Sequence, residues 1–249
     1  MAKRPTLQEK MARLSAFEGA PLNAEAAQEL RRGLAGSSSA LAAKAARVAA
    51  EAGAQELVPD LAEAFLRFVR RPATADKGCV AKTAIVEALN RLDADEEQVF
   101  LRGVRHVQPE PVWGGRVDTA DNLRAKCLVG LVRTGHPQAP FETVRLLADP
   151  MPEPRRVAAR ALGHISGETG ELLLRLKALS GDAEPDVLGE CFSALMEISP
   201  ERSLEFVADF LDREGAVAEE AALALGASRR AEAFLVLKER RRAAVHAAI

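Results

Sequence analysis

The sequence predicts an all-α protein: a solenoid of about six antiparallel helical hairpins with a capping helix at each end. Three observations carry this. The 249 residues are 48% hydrophobic but only 4% aromatic, with no Tyr and one Trp, so the apolar content is mostly Ala, Leu and Val. That suits closely approaching helices better than a β sandwich. Apolar residues recur at helical spacing from end to end. And one phrase, Arg155-Arg-Val-Ala-Ala-Arg-Ala-Leu-Gly-His-Ile165, is restated along the chain.

Taken in order, Thr6-Leu-Gln-Glu9 has the form of a capping box, which opens a helix running to about Phe17. Pro21 and Gly19 break it, and Asn23 caps Ala24 to about Leu34. Gly36-Ser-Ser-Ser39 turns the chain into Ala40 to Ala52, which Gly53 ends. Glu56 to Arg70 then carries Leu57, Leu61, Phe65, Phe68 and Val69 on one face, and Cys79 to Leu92 answers it. Glu96 to Val107 pairs with Leu123 to Val132, Phe141 to Ala148 with Arg155 to Ile165, and Gly170 to Leu179 with Val187 to Ile198. Ser203 to Leu211 pairs with Val217 to Leu225, and Ala231 to Ala248 closes the chain.

Aligning the second helix of each hairpin tests whether this is true repetition. The anchors Ala49, Leu89, Leu131, Leu162, Leu195 and Leu225 lie 40, 42, 31, 33 and 30 residues apart. Four residues before them stand Ala45, Ile85, Cys127, Ala158, Cys191 and Ala221; one residue before, Val48, Ala88, Gly130, Ala161, Ala194 and Ala224. Small residues dominate both columns, as a helix packed on both sides requires. Cys127 and Cys191 are therefore small buried hydrophobes.

These phrases, with Glu184-Pro-Asp-Val-Leu-Gly-Glu-Cys-Phe-Ser-Ala-Leu-Met-Glu-Ile198, resemble the second helix of HEAT or HEAT-like repeats. The resemblance covers about residues 23–228 and implies a right-handed solenoid. It also implies an Arg seven residues before the anchor, paired with an acidic residue in the preceding turn. Arg155 and Arg124 fill that place and Lys82 nearly does; Leu188, Ala218 and Ala42 depart from it. One elongated domain is expected: a cap at 1–22, repeats at 23–228 and a basic cap at 229–249.

The long interval from Leu89 to Leu131 holds an insert at 107–121, with the only Trp, two prolines and Gly114-Gly115. Either Trp113 folds back as a plug over the adjacent hairpins, with Arg116 and Asp118 pairing locally, or the insert contacts a partner. The candidate binding residues are His106, Trp113, Gly114, Gly115, Arg116, Asp118 and Arg155, with Arg124 and Lys82 on the inner face. Arg229 to Arg242 carries a net charge of +4, which suits a solvated end cap or, alternatively, an anionic partner.

Other function classes are disfavoured. A net charge of -2 and a pI near 6.2 give no global basic field for nucleic acid. Cys79, Cys127 and Cys191 lack metal-ligand or disulfide spacing and suit reduced thiols in the cytoplasm. No apolar run reaches the roughly eighteen residues of a membrane span. Nucleotide-binding loops, nucleophile elbows and zinc-protease motifs are missing. A metal site from His106, His136 and Asp118 would need the insert folded onto the next loop. No catalytic residue, metal or cofactor is expected. The leading expectation is a non-enzymatic scaffold that binds another protein with its concave helical face and the insert. By resemblance, the alternatives are a DNA-glycosylase-like nucleic-acid binder, with Trp113 and Asp118 at the base, and a bilin lyase-like or chaperone-like accessory subunit.

Overall fold

The computed structural model describes the backbone of residues 5–165 and 167–247, and side chains at 5–164 and 167–240. Arg241, Arg242 and His246 of the basic terminus thus have no described side chain, and residue 248 of the last predicted helix lies outside the described residues. The chain forms two compact units, Met1–His136 and Pro137–Ile249.

Unit 1 begins with α1 (Leu7–Ser15), whose Thr6 and Glu9 make the predicted capping box. Three helix pairs follow: α2 (Ala24–Ala35) with α3 (Ser39–Glu51), α4 (Val58–Val69) with α5 (Val80–Arg91), and α6 (Glu97–Gly103) with α7 (Asp121–Arg133). Between α6 and α7 the insert forms the strands β1 (Pro109–Val112) and β2 (Gly115–Asp118). The second helices stack in series, α3 on α5 and α5 on α7, each packed also on its own partner. Ala45, Ala49, Ile85, Ala88, Leu89, Cys127 and Leu131 are all buried in this seam.

Unit 2 repeats the plan. Here α8 (Ala139–Leu147) pairs with α9 (Pro152–Ile165), α10 (Gly167–Ser180) with α11 (Pro185–Ile198), and α12 (Pro200–Ala208) with α13 (Ala216–Ala227), before a last helix, α14 (Ala231–Ala247). The seam α9–α11–α13 is lined by Ala158, Leu162, Cys191, Leu195, Ala221 and Leu225, all buried. The two cysteines in the small-residue column behave as apolar groups: burial raises the thiol of Cys127 and pushes that of Cys191 up to about 12.

Several helices start earlier than apolar periodicity predicts. α8, α9, α11 and α12 begin two or three residues sooner, each with a proline in the first turn, where a missing N–H costs nothing. α6 ends at Gly103 and not at Val107, so Arg105 and His106 lie in a turn. At that end the fit is tight, since a methyl group built on Gly103 would lie 2.2 Å from the sulfur of Cys127.

Candidate interaction surface

The insert is a β-hairpin. The register pairs Pro109 with Asp118, Glu110 with Val117, Pro111 with Arg116 and Val112 with Gly115. Thr119 donates its N–H to the carbonyl of Gln108 at 3.0 Å, so Gln108, Glu110 and Val112 occupy the hydrogen-bonded positions. Pro109 and Pro111 alternate with them and face away from β2, where a missing N–H breaks no bond in the ladder. The carbonyl of Pro109 accepts instead from the Arg116 guanidinium at 2.9 Å.

Trp113 and Gly114 make the two-residue turn. Gly114 takes φ 86°, which a side chain would strain. Gly115 has an ordinary φ and open space around it, so only the first glycine is used for its conformational freedom. Trp113 stands fully in solvent, at 102% relative exposure, with Val112 and Val117 exposed behind it. It does not fold back as a plug, and Arg116 does not pair with Asp118. The fold-back fails because the short, paired strands hold the turn away from the helices.

The base of the hairpin is polar and ordered. Gln108 donates through Nε2 to the carbonyl of Asp76 at 2.8 Å and to Glu110 Oε1 at 2.7 Å. The same Glu110 oxygen accepts from the Gly78 amide at 2.7 Å and the Thr119 hydroxyl at 2.8 Å. These donors, the Gln108 side chain foremost, hold the Glu110 carboxyl below its ordinary range. Gly78 and Cys79 both take left-handed backbone, at φ 67° and 52°, and this tight turn aims the Gly78 amide at the hairpin. Burial pushes the Cys79 thiol up to about 11.

Asp118 closes the other side of the base. Its carboxylate accepts from the amides of Gln108 at 2.9 Å and Ala120 at 3.0 Å, and from Arg124 at 2.5 Å. Burial raises this carboxyl, but the two amides and the guanidinium outweigh it and the net displacement is downward. Arg124 also donates to the carbonyl of His106 at 3.0 Å. His106 is held below its usual value by burial, with the nearby cations Lys82 and Arg124 adding to the effect.

The predicted residues therefore divide. Trp113, Gly114, Gly115 and Arg116 form the exposed tip, whereas His106, Asp118, Arg124 and Lys82 gather at its foot. Lys82 and Arg124 are buried, so the inner-face position expected of them is corrected: their charges are met inside the protein. Lys82 Nζ lies 3.0 Å from Asp76, whose carboxylate also accepts from the amides of Ala81 and Lys82. His136 pairs with Glu97 at 3.2 Å. Among the described residues no cluster of His, Cys, Asp and Glu could hold a metal, and no helix is long and apolar enough to cross a membrane.

In unit 2 each second helix packs between its neighbours, as stacked repeats demand, and residues 139–226, from α8 to α13, match the family of HEAT repeats. Residues 139–226 are HEAT-like repeats. No curated protein matches the chain.

A column of aspartates runs through the helical repeats that the small-residue alignment does not isolate. Asp76, Asp118, Asp149, Asp182 and Asp212 each stand six residues before Lys82, Arg124, Arg155, Leu188 and Ala218. Where that later residue is Lys82 or Arg124, the pair closes within the repeat. Arg155 instead donates to the carbonyls of Asp149 and Pro150 and reaches forward to Asp182, which Leu188 cannot serve. Asp212, facing Ala218 in the pattern, is met by Arg240. The recurring Asp was the sequence signal for the buried cations, because a buried charge requires a partner.

Proposed function

We propose that this helical repeat protein is a non-enzymatic scaffold that docks another protein through the tip of its β-hairpin. The observation that carries this is the full exposure of Trp113 on a hairpin whose foot is anchored by Gln108, Glu110, Asp118 and Arg124. An aromatic side chain held on a rigid mount loses little conformational freedom when a partner covers it. Burying one Trp removes roughly 150–250 Å² from water. At ~25 cal/mol/Å² that is about 4–6 kcal/mol before the costs of association, the scale of an interface hot spot. Val112 and Val117 extend the apolar contact, and Arg116 gives it a charged rim. The buried, unbridged cysteines support a place of action in the reducing cytoplasm.

The test is co-purification of partners from a lysate with the wild type and with Trp113→Ala, whose helical circular dichroism should be unchanged. A partner captured by the wild type and lost with Trp113→Ala supports the proposal. Equal capture by both proteins, or none by either, overturns it.

A further inference from the structure

The basic stretch that begins at Arg229 has a structural setting that an end cap alone does not require. The turn between α13 and α14 walls a cleft of about 390 Å³, lined by Leu225, Gly226, Arg229, Arg230, Phe234 and Leu237, among others. Its walls are apolar. Phe234 stays 64% exposed although the neighbouring Ala233 is fully buried, so α14 packs by one edge and leaves its aromatic on the cleft. Gly226 forms part of the lining, and a methyl group built there would meet nothing within 4 Å.

The rim is cationic. Arg229 and Arg230 are exposed, and neither makes an ion pair among the described residues. Arg229 adopts φ 55°, a left-handed conformation unusual outside glycine, at the point where the chain turns around the cleft. An apolar pocket under two unpaired guanidiniums fits one kind of occupant. A phosphate backbone would satisfy the arginines and leave Phe234 and Leu237 wet; a purely apolar segment would leave the arginines without partners. We infer that this cleft in unit 2 docks an acidic peptide segment that carries a bulky apolar side chain between its carboxylates. The inference shares with the proposed function the premise that the repeats bind protein, but it uses different residues in the other unit.

The test measures fluorescence anisotropy of a short fluorescein-labelled peptide of Glu and Asp with a central Phe-Leu pair, titrated with the full chain. Two control peptides replace either the acidic residues by Gln and Asn or the Phe-Leu pair by Ser. Only the first peptide should bind, and binding should weaken as salt rises. Replacing both arginines (Arg229→Ser with Arg230→Ser) should weaken it by roughly tenfold or more, as loss of charge complementarity predicts. Gly226→Leu should abolish binding by filling the cleft, and as a helical Gly replaced by a better helix former it should not unfold α13. Trp113→Ala should leave the peptide affinity unchanged, so failure of the hairpin proposal and failure of this one are separable. Absent binding, equal binding of a control peptide, preference for duplex DNA over the peptide, or undiminished binding by the Gly226→Leu variant would each overturn the inference.

Discussion

Arg155 grips Asp182 from one repeat earlier, its Nε and Nη2 donating to the two carboxylate oxygens at 2.8 and 2.6 Å. Lys177 adds a second cation at 2.7 Å, and all three side chains are largely buried. Removing only the carboxylate strands two charges in a dry site, and Asp182→Asn should destabilise unit 2 by about 3–5 kcal/mol at neutral pH. Urea unfolding would measure it. Burial raises the Asp182 carboxyl, but Arg155, Lys177 and the Glu184 amide carry it well below its usual range. A depressed carboxylate contributes stability above its unfolded value of about 3.9 and loses it as pH falls through the folded value. Wild-type stability should therefore drop below about pH 4, and the Asp182→Asn variant should lack that part of the drop.

Phe100 and Gly130 make a sterically stricter contact. A methyl group on Gly130 would come within 2.5 Å of the Phe100 ring, in a seam with no space to yield. Gly130→Ala should therefore cost about 1–3 kcal/mol by overpacking, although Ala is the better helix former. Gly115→Ala, with nothing near its added carbon, should leave stability unchanged in the same denaturation assay.

The repeat was legible because its cause is short-range. Close helix packing needs small residues at fixed positions, and Ala45, Ala158 and Ala221 announce it with no knowledge of the partner helix. The hairpin was not, because Pro109, Pro111 and Gly114 are all poor strand residues. They are tolerated only because the register turns both prolines outward and places the glycine in the turn, a fact of pairing and not of composition. Lys82 and Arg124 look like surface residues for a similar reason: Lys and Arg are seldom fully buried without a partner. The Asp six positions upstream of each supplies that partner, and reading the two columns together would have placed both cations inside.

Gln108 ties the hairpin to the α4–α5 connection through Asp76 and Glu110. Gln108→Ala should remove about 1–2 kcal/mol of local stability without unfolding the helices. Hydrogen exchange should accelerate at the amides of Gly78 and Thr119, whose acceptors are Glu110 and Gln108. Exchange within α5 and α7 should stay as slow as in the wild type. If the whole of unit 1 opens together, Gln108 supports the core and not the hairpin alone.

Trp113 reports on its own surroundings because it is the only Trp in the chain. A plug packed on the helices would emit at short wavelength and shift red on unfolding. A fully exposed indole emits at the wavelength of indole in water from the outset, is quenched freely by iodide, and shifts little when urea unfolds the protein. That second behaviour is expected here. Trp113→Ala should then change stability by less than about 0.5 kcal/mol, as surface substitutions do. A blue shift and lost quenching on adding a partner would report that the indole has become covered. A blue-shifted free protein, or a large stability loss in Trp113→Ala, would return the side chain to a structural role.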